Sequence, residues 1–118
     1  MDNLTFTTRV IGNLEWQVDL PEPMPWNHAV EYARMMDKAW GGGWRLPTVS
    51  ELVAQYDYAA NKPANDMWEP ELYWTSSAYP RNENLARAFH FKFGEIGFAF
   101  MEGDQCVRIV RTIKEQNP

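Results

Sequence analysis

The sequence contains little cysteine, few basic residues and no long apolar run. Cys106 is the one cysteine among 118 residues, so the chain forms no internal disulfide and is not a secreted disulfide scaffold. The 11 lysines and arginines are outnumbered by 16 aspartates and glutamates, which gives a formal net charge of -5. Phosphate binding normally needs a basic face, so this charge balance argues against nucleic acid as a partner.

The chain also lacks the hallmarks of membrane insertion and export. No stretch approaches the roughly 18 apolar residues that a membrane-spanning helix requires. The first ten residues show no basic region followed by an apolar run, as a signal peptide would. The sequence as written therefore predicts a cytoplasmic protein without a membrane span, and it leaves release or surface association open.

Apolar and aromatic residues are abundant. Hydrophobic residues make up 45% of the chain and aromatic residues 14%, so we expect a folded core of few, bulky side chains rather than disorder. A length of 118 residues suits a single domain over residues 1–118 with one substantial core.

Apolar patterns predict strands at both ends of the chain and two helices between them. Alternation predicts an N-terminal hairpin in residues 1–20, with strands Leu4 to Val10 and Leu14 to Leu20 around a Gly12-Asn13 turn. Spacings of three and four predict two helices within residues 26–58, the first with an apolar stripe of Trp26, Ala29, Val30, Ala33, Met36 and Trp40, the second with Val49, Leu52, Val53 and Tyr56.

The region 73–113 is predicted as antiparallel strands. Its apolar segments are Tyr73 to Ser77, Arg87 to Phe93, Ile96 to Phe100 and Cys106 to Ile113, and polar loops over 59–72 and 79–85 surround the first of them. The first and last strands of the chain are candidates to pair. This order of elements predicts an α+β fold with helices packed against an antiparallel sheet.

A glycine–tryptophan corner joins the two predicted helices. Gly41 to Gly43 permit a sharp turn, and Pro47 keeps the residue before it extended. Thr48 and Glu51 fit a capping box at the start of the second helix. Arg45 is predicted to pair with Glu51, with an anionic ligand as the alternative partner. We assign structural roles to Gly42, Gly43, Trp44, Arg45, Pro47, Thr48, Glu51 and Trp74, and expect Trp26 to pack in the core as well.

Four segments carry a resemblance to a known family. They are Trp26-x-x-Ala29-x-x-Tyr32-Ala33, Gly42-Gly43-Trp44-Arg45-Leu46-Pro47-Thr48-x-x-Glu51-Leu52, Tyr73-Trp74-Thr75-Ser76-Ser77 and Val107-Arg108-x-Val110-Arg111. In this order they resemble the Lcl-type C-terminal domain family, named for a bacterial collagen-like adhesin. The resemblance implies a C-type lectin-like fold, with two helices on antiparallel sheet and long loops, that serves in ligand binding or adhesion.

The chain departs from better-known activities of lectin-like proteins. Calcium-dependent sugar binding would be expected to use Glu-Pro-Asn or Gln-Pro-Asp, whereas the sequence has Glu69-Pro70-Glu71. The formylglycine-generating enzyme shares the Arg-Leu-Pro-Thr corner but relies on a cysteine pair, and this chain has Cys106 alone. The resemblance therefore implies neither calcium nor this catalysis. The collagen-like stalk of the adhesin is absent as well.

Few residues offer catalytic or metal-binding chemistry. His28 and Glu31 lie three apart on the first helix, but a metal site needs further ligands. Cys106 and His90 would form a nucleophile pair only if their strands were adjacent. Thr75-Ser76-Ser77 lacks a nucleophile elbow, and the three glycines lack the lysine of a phosphate loop. We predict no catalytic residue, no metal and no cofactor.

The loops provide the candidate ligand site. They carry stackable or hydrogen-bonding groups that composition places outside the core, namely Trp68, Tyr79, Arg81, Asn82 and Asn84. The sequence thus predicts a non-catalytic module that recognises a protein or glycan through its loops without calcium. The alternative is a structural or assembly protein, such as a phage or mobile-element accessory factor, that oligomerises through its aromatic sheet. A Cys106 or His90 enzyme ranks last.

Overall fold

The structure is a computed structural model that describes residues 7–113. Its two helices are α1 (Trp26–Trp40) and α2 (Val49–Val53). Its strands are β1 (Thr8–Ile11), β2 (Leu14–Gln17), β3 (Tyr56–Asp57), β4 (Lys62–Pro63), β5 (Leu72–Ala78), β6 (Leu85–His90), β7 (Glu95–Phe100) and β8 (Val110–Thr112). Two helices with several antiparallel sheets confirm the α+β prediction.

The N-terminal hairpin is confirmed, and the last strand joins it. β1 and β2 pair antiparallel around Gly12, whose φ of 65° is a left-handed conformation that suits a tight turn. The first and last strands, which were candidates to pair, are not neighbours in residues 7–113, because β8 pairs with β2 and gives the order β1-β2-β8. The part of the first predicted strand before residue 7 lies outside the described residues, and β2 ends at Gln17 rather than Leu20.

Helix α1 has the predicted bounds. Its core-facing side is centred on Ala29 and Ala33, two small buried residues that let the helix approach the sheet closely. The predicted stripe also included Val30 and Trp40, but both are exposed, and Tyr32 packs toward the core instead. The helix ends at Gly41, where a φ of 73° takes the chain out of the helical conformation.

The corner after α1 is held by hydrogen bonds from both sides. Asp37 Oδ1 accepts the backbone N–H of Gly43 at 2.7 Å and of Trp44 at 3.0 Å, so the end of α1 fixes the glycine turn. The capping box of Thr48 and Glu51 is confirmed, and the Glu51 carboxylate also receives both terminal nitrogens of Arg45 at 2.8 Å. Burial would raise the pKa of Glu51, but hydrogen bonds from Arg45 and Thr48 keep it below its usual value.

Helix α2 is shorter than predicted. It ends at Val53, and Tyr56 begins the short strand β3, which pairs with β4. The predicted loop over 59–72 is therefore wrong at Lys62–Pro63, which form β4, and at Leu72, which begins β5. One and a half turns give too few intrahelical bonds for a stable helix in isolation, so α2 depends on its cap and on burial of Leu52.

The second sheet has the order β5-β6-β7, with antiparallel pairing throughout. The predicted strand Arg87 to Phe93 is wrong in its last part, because β6 ends at His90 and residues 91–94 form the turn into β7. Phe91 points into the core from this turn, whereas Phe93 is 56% exposed. The predicted strand Cys106 to Ile113 is reduced to β8, and Cys106 makes only an isolated bridge to Tyr73 of β5.

The core lies on both faces of β6. Phe89 belongs to an aromatic cluster with Trp16, Tyr56, Trp68, Tyr73 and Phe91, whereas Ala86 and Ala88 face a second cluster with Ala29, Ala33, Trp44, Trp74 and Ile109. Trp74 and Trp44 are buried as predicted, and Trp26 is half-buried with its indole N–H donated to the Thr75 carbonyl. Central strand β6 is therefore covered on both sides. Edge strand β7 packs Ala99 against the second cluster but leaves its other side exposed.

We expect Gly94→Ala to destabilise the fold more than Gly12→Ala. Both glycines have left-handed φ values, 69° and 65°, so each substitution brings a backbone strain of about 1–2 kcal/mol. At Gly94 the new Cβ would also overlap the buried ring of Tyr56, whereas at Gly12 it would meet open space. Overpacking adds about 1–3 kcal/mol, to be measured by urea unfolding. Equal unfolding free energies for the two variants would contradict this packing.

Candidate functional site

The loop between β5 and β6, residues 79–84, forms an ordered turn. The N–H of Asn82 is donated to the Tyr79 carbonyl at 3.3 Å, and the side-chain oxygen of Asn82 accepts the N–H of Asn84 at 2.9 Å. The Tyr79 N–H is donated across the base of the loop to the Leu85 carbonyl at 3.0 Å. Asn82 thus holds the turn, and Arg81 and Asn84 stand exposed at its tip.

Trp68, the fifth residue of the predicted ligand site, lies apart from this loop. Its side chain is only 6% exposed, so the expectation of a surface tryptophan is wrong. The indole stacks on Phe91 with ring centroids 4.4 Å apart and contacts Trp16 and Tyr73 edge-on. A polar loop delivers this large apolar side chain into the core, where its burial contributes to stability. Of the five predicted site residues, the structure brings together the four on the 79–84 loop.

A row of exposed apolar side chains runs along β7 beside this loop. Ile96, Phe98 and Phe100 are 52%, 51% and 68% exposed and lie on one face of the strand. The ring centroids of Phe98 and Tyr79 are 4.7 Å apart, and the Arg87 guanidinium lies 5.3 Å from the centroid of the Tyr79 ring. We call the surface formed by Tyr79, Arg87, Ile96, Phe98 and Phe100 the β7 face.

The backbone of the same residues points away from the sheet. The N–H of Met101 is donated to the Asn84 carbonyl at 2.8 Å, which marks these two residues as a hydrogen-bonded pair in the antiparallel ladder. Such pairs alternate along a strand, so Ala99, Gly97 and Glu95 bond inward to β6. Ile96, Phe98 and Phe100 therefore direct their amides outward, where residues 7–113 provide no further strand.

A cleft of about 440 Å³ opens at the end of the β7 face. Its lining is polar and acidic around one aromatic ring, and consists of Asn27, Glu83, Asn84, Phe100, Met101 and Glu102. Phe100 and Asn84 connect this cleft to the β7 face and to the 79–84 loop. An extended segment bound along β7 would end over the cleft. There the side-chain carboxylates and amides that line the cleft offer hydrogen-bond acceptors to the segment.

A second cleft, which we call the corner cleft, lies at the glycine–tryptophan corner and measures about 410 Å³. It is lined by Thr8, Glu15, Trp40, Gly41, Gly42, Trp44 and Arg111. Gly42 has a φ of 103°, and a Cβ there would lie 2.9 Å from an Arg111 nitrogen. The glycine therefore lets the Arg111 side chain lie against the turn. The cleft combines indole rings with a charged hydrogen-bonding floor.

That floor is an ion pair. Glu15 Oε1 receives Nε of Arg111 at 2.7 Å, and the Thr8 hydroxyl is donated to Oε2 of the same carboxylate. The Thr8 hydrogen bond, with a further contribution from Arg111, holds the pKa of Glu15 below its usual value. The Arg111 guanidinium also lies 5.7 Å from the Trp44 ring centroid. Donors and acceptors thus stand at fixed positions beside an indole.

The candidate catalytic pair Cys106 and His90 is separated by a strand. Cys106 bridges to Tyr73 on one side of β5, and His90 pairs with Leu72 on the other side. Strands lie about 4.8 Å apart, so two strand spacings separate these residues. Burial, with a smaller contribution from Glu71 and Glu69, raises the pKa of the Cys106 thiol, which is the reverse of an activated nucleophile.

The other candidates for metal or hydroxyl chemistry are dispersed. His28 and Glu31 are exposed, and residues 7–113 contain no group of three or more histidines, cysteines and carboxylates arranged for a metal ion. Thr75 is buried and its hydroxyl is donated to the Arg87 carbonyl at 3.0 Å, so it serves the β5–β6 pairing. No helix in the described part of the chain is long and apolar enough to cross a bilayer.

Sequence reasoning named an aromatic sheet as an oligomerisation surface in its alternative hypothesis, but it located neither the β7 face nor the corner cleft. The alternation of Ile96, Phe98 and Phe100 indicated a strand, but it could not reveal that this strand lies at an edge with its apolar side uncovered. The combination of Trp40 and Arg111 was not predictable, because the two residues lie 71 positions apart in the chain (111 − 40). The pairing of β8 with β2 brings Arg111 to the corner.

Within residues 7–113, these features form an α+β domain that carries surface clefts and an exposed apolar sheet edge. A model of the Lcl C-terminal domain family matches residues 7–111, almost the full extent of the described chain. The chain therefore belongs to the Lcl C-terminal domain family. A search of curated proteins finds no match.

We expect Cys106 to react slowly with iodoacetamide at neutral pH. Because the pKa of its thiol is raised, the thiolate fraction at pH 7 is smaller than for an ordinary cysteine. The alkylation rate should therefore keep rising at pH values above the ordinary cysteine pKa of about 8.5. The matched control is Ser77→Cys in a Cys106→Ala background, which places an exposed thiol on β5. Faster alkylation of Cys106 than of this control would contradict the assignment.

Proposed function

We propose that this domain is a non-catalytic binding module, built on a C-type lectin-like scaffold, that recognises a protein partner through the β7 face and the adjoining 79–84 loop. The observation that carries the proposal is the row of Ile96, Phe98 and Phe100, more than half exposed on a sheet edge that residues 7–113 leave unpaired. Soluble proteins rarely leave such a row uncovered unless it binds something.

The chemistry of the surface supports a protein ligand. Outward-directed amides along β7 offer main-chain hydrogen bonds to an added strand, and alternate side chains on the same face offer apolar contacts. Tyr79 and Arg87 flank this row, and both residue types are enriched at protein interfaces. Arg81, Asn82 and Asn84 add a polar rim at one end.

Two arrangements support a role without catalysis and without calcium. The thiol of Cys106 and the imidazole of His90 flank opposite sides of β5, so neither activates the other. The Glu69-Pro70-Glu71 segment lacks the amide side chain of the calcium-binding triplets. The Glu69 N–H is donated to the Tyr73 hydroxyl at 3.0 Å, which is a structural hydrogen bond.

Glycan recognition is the second candidate function, and the corner cleft favours it. Trp40 is exposed at the rim, and an indole face can pack on the apolar face of a sugar ring. Beside it, the Arg111–Glu15 pair presents both donors and acceptors, which suits ring hydroxyls. Such a site would bind a saccharide independently of the β7 face.

Photo-crosslinking tests the protein-binding proposal. We expect a benzophenone amino acid at position 98, introduced in cells that make the protein, to yield discrete protein adducts. The matched control is position 93, a phenylalanine of similar exposure in the turn before β7, and it should yield none of them. Identical adducts from both positions, or none from position 98, would overturn the proposal.

A glycan array followed by calorimetry tests the second candidate. For any saccharide that binds, Trp40→Ala should weaken the affinity about tenfold, since aromatic stacking contributes up to about 1.5 kcal/mol. Tyr58→Ala removes an exposed aromatic side chain elsewhere and should leave the affinity unchanged. An array without hits, with and without calcium, would remove the glycan function.

A further inference from the structure

We infer that the partner of the β7 face is a second copy of this chain, joined by antiparallel pairing of the two β7 strands about a two-fold axis at Phe98. This inference rests on the proposed function, because it names the ligand of the same surface. The two three-stranded sheets, each with the order β5-β6-β7, would then form one continuous sheet of six strands.

The symmetry of the strand decides the register. A two-fold axis perpendicular to the sheet keeps each side chain on its own face of the sheet. Even-numbered residues of β7 must therefore lie opposite even-numbered residues of the second copy, and odd-numbered opposite odd-numbered. With Phe98 on the axis, Phe98 faces Phe98 of the second copy and Ile96 faces Phe100. Every exposed apolar side chain of the row thus meets another apolar side chain.

The outward backbone groups fit the same register. Ile96, Phe98 and Phe100 direct their N–H groups away from β6. In this register each of them lies opposite one of the same three residues of the second copy, whose N–H group points toward it. Phe98 would exchange two hydrogen bonds with its symmetry mate. The carbonyl of Phe100 already accepts the N–H of Gly103 at 2.9 Å, which sets the end of the pairing at that residue.

Charge and bulk also favour a second copy in this register. Glu95 would lie opposite Met101 and Glu102 opposite Gly94, so no acidic residue faces another although each chain has a net charge of -5. On the opposite face of the strand, Gly97 meets Ala99, and neither side chain obstructs the approach. β7 contains no lysine or proline, the residues that commonly protect an edge strand from pairing.

The area available sets the strength of the contact. An aromatic side chain buries about 150–250 Å² in total, so the exposed parts of Ile96, Phe98 and Phe100 provide roughly 300–400 Å² per copy. Two copies, with their backbones and Tyr79, would bury at most roughly 800–1,000 Å², because side chains stand perpendicular to the sheet and meet only along their flanks. This is below the 1,200 Å² or more of a stable standard interface. The dimer should therefore be reversible and dependent on protein concentration.

Sedimentation equilibrium of the purified chain tests the inference. From low micromolar to millimolar protein, we expect the average mass to rise from one chain toward two. Phe98→Lys should abolish this rise, because two lysines would meet on the axis, whereas Phe93→Lys should retain it. A wild-type mass of one chain throughout, or an equal effect of both substitutions, would overturn the inference.

Opposite charges at the axis test the register itself. Phe98→Lys and Phe98→Glu should each be monomeric alone, and their mixture should recover the mass of two chains. Recovery requires position 98 of one copy to face position 98 of the other, so two monomeric variants whose mixture stays monomeric would overturn this arrangement.

An intermolecular disulfide between two copies tests the same pairing without a charged substitution. Hydrogen-bonded antiparallel partners have Cα atoms about 5.5 Å apart, within the range that a disulfide spans. In a Cys106→Ala background, Phe98→Cys should form a covalent dimer under mild oxidation faster than Phe93→Cys. If the wild type stays monomeric and position 98 crosslinks only to a foreign protein, the second copy is excluded and the proposed binding function stands.

Discussion

A buried guanidinium holds together parts of this domain that are far apart in sequence. Arg108 is 1% exposed, and its Nη1 is donated to the carbonyls of Gln17 at 2.6 Å and Val18 at 2.9 Å, while Nη2 is donated to that of Met67. Its guanidinium also lies 4.5 Å from the Trp68 ring centroid. Burial lowers the pKa of Arg108, so carbonyl and aromatic contacts must offset the loss of hydration. The end of β2, the segment between β4 and β5, and the segment before β8 are thereby fixed around the Arg108 side chain.

The core built around Arg108 determines which surfaces remain available. Trp68 is drawn inward against the guanidinium and Phe91, so the long polar loop contributes to packing rather than to a ligand site. The same core covers both faces of β6, with aromatic side chains on one and α1 on the other. Cover ends at β6. β7 is therefore well supported by its neighbour, but its apolar row and its outward amides stay accessible, which is a suitable geometry for binding an extended segment.

Much of the fold was predictable where the interactions that specify an element lie within a short stretch of chain. Periodicity gave the bounds of α1, and the Thr48–Glu51 spacing gave a capping box that the structure reproduces with the Arg45 ion pair. The loop site was predictable only in part: Tyr79, Arg81, Asn82 and Asn84 do share one ordered turn. Trp68 was placed wrongly, because loop composition describes the average solvent exposure of a segment and not the direction of a single indole.

By itself, the sequence determined the local elements, the α+β class and the family to which the chain belongs, since these depend on residue type and short spacings. The tertiary structure alone decided that β8 pairs with β2, that Arg108 is the buried anchor and that β7 lies at an edge. The physical reason is the same in each case. An alternating strand encodes which residues share a face, but whether that face is covered depends on partners brought from distant parts of the chain.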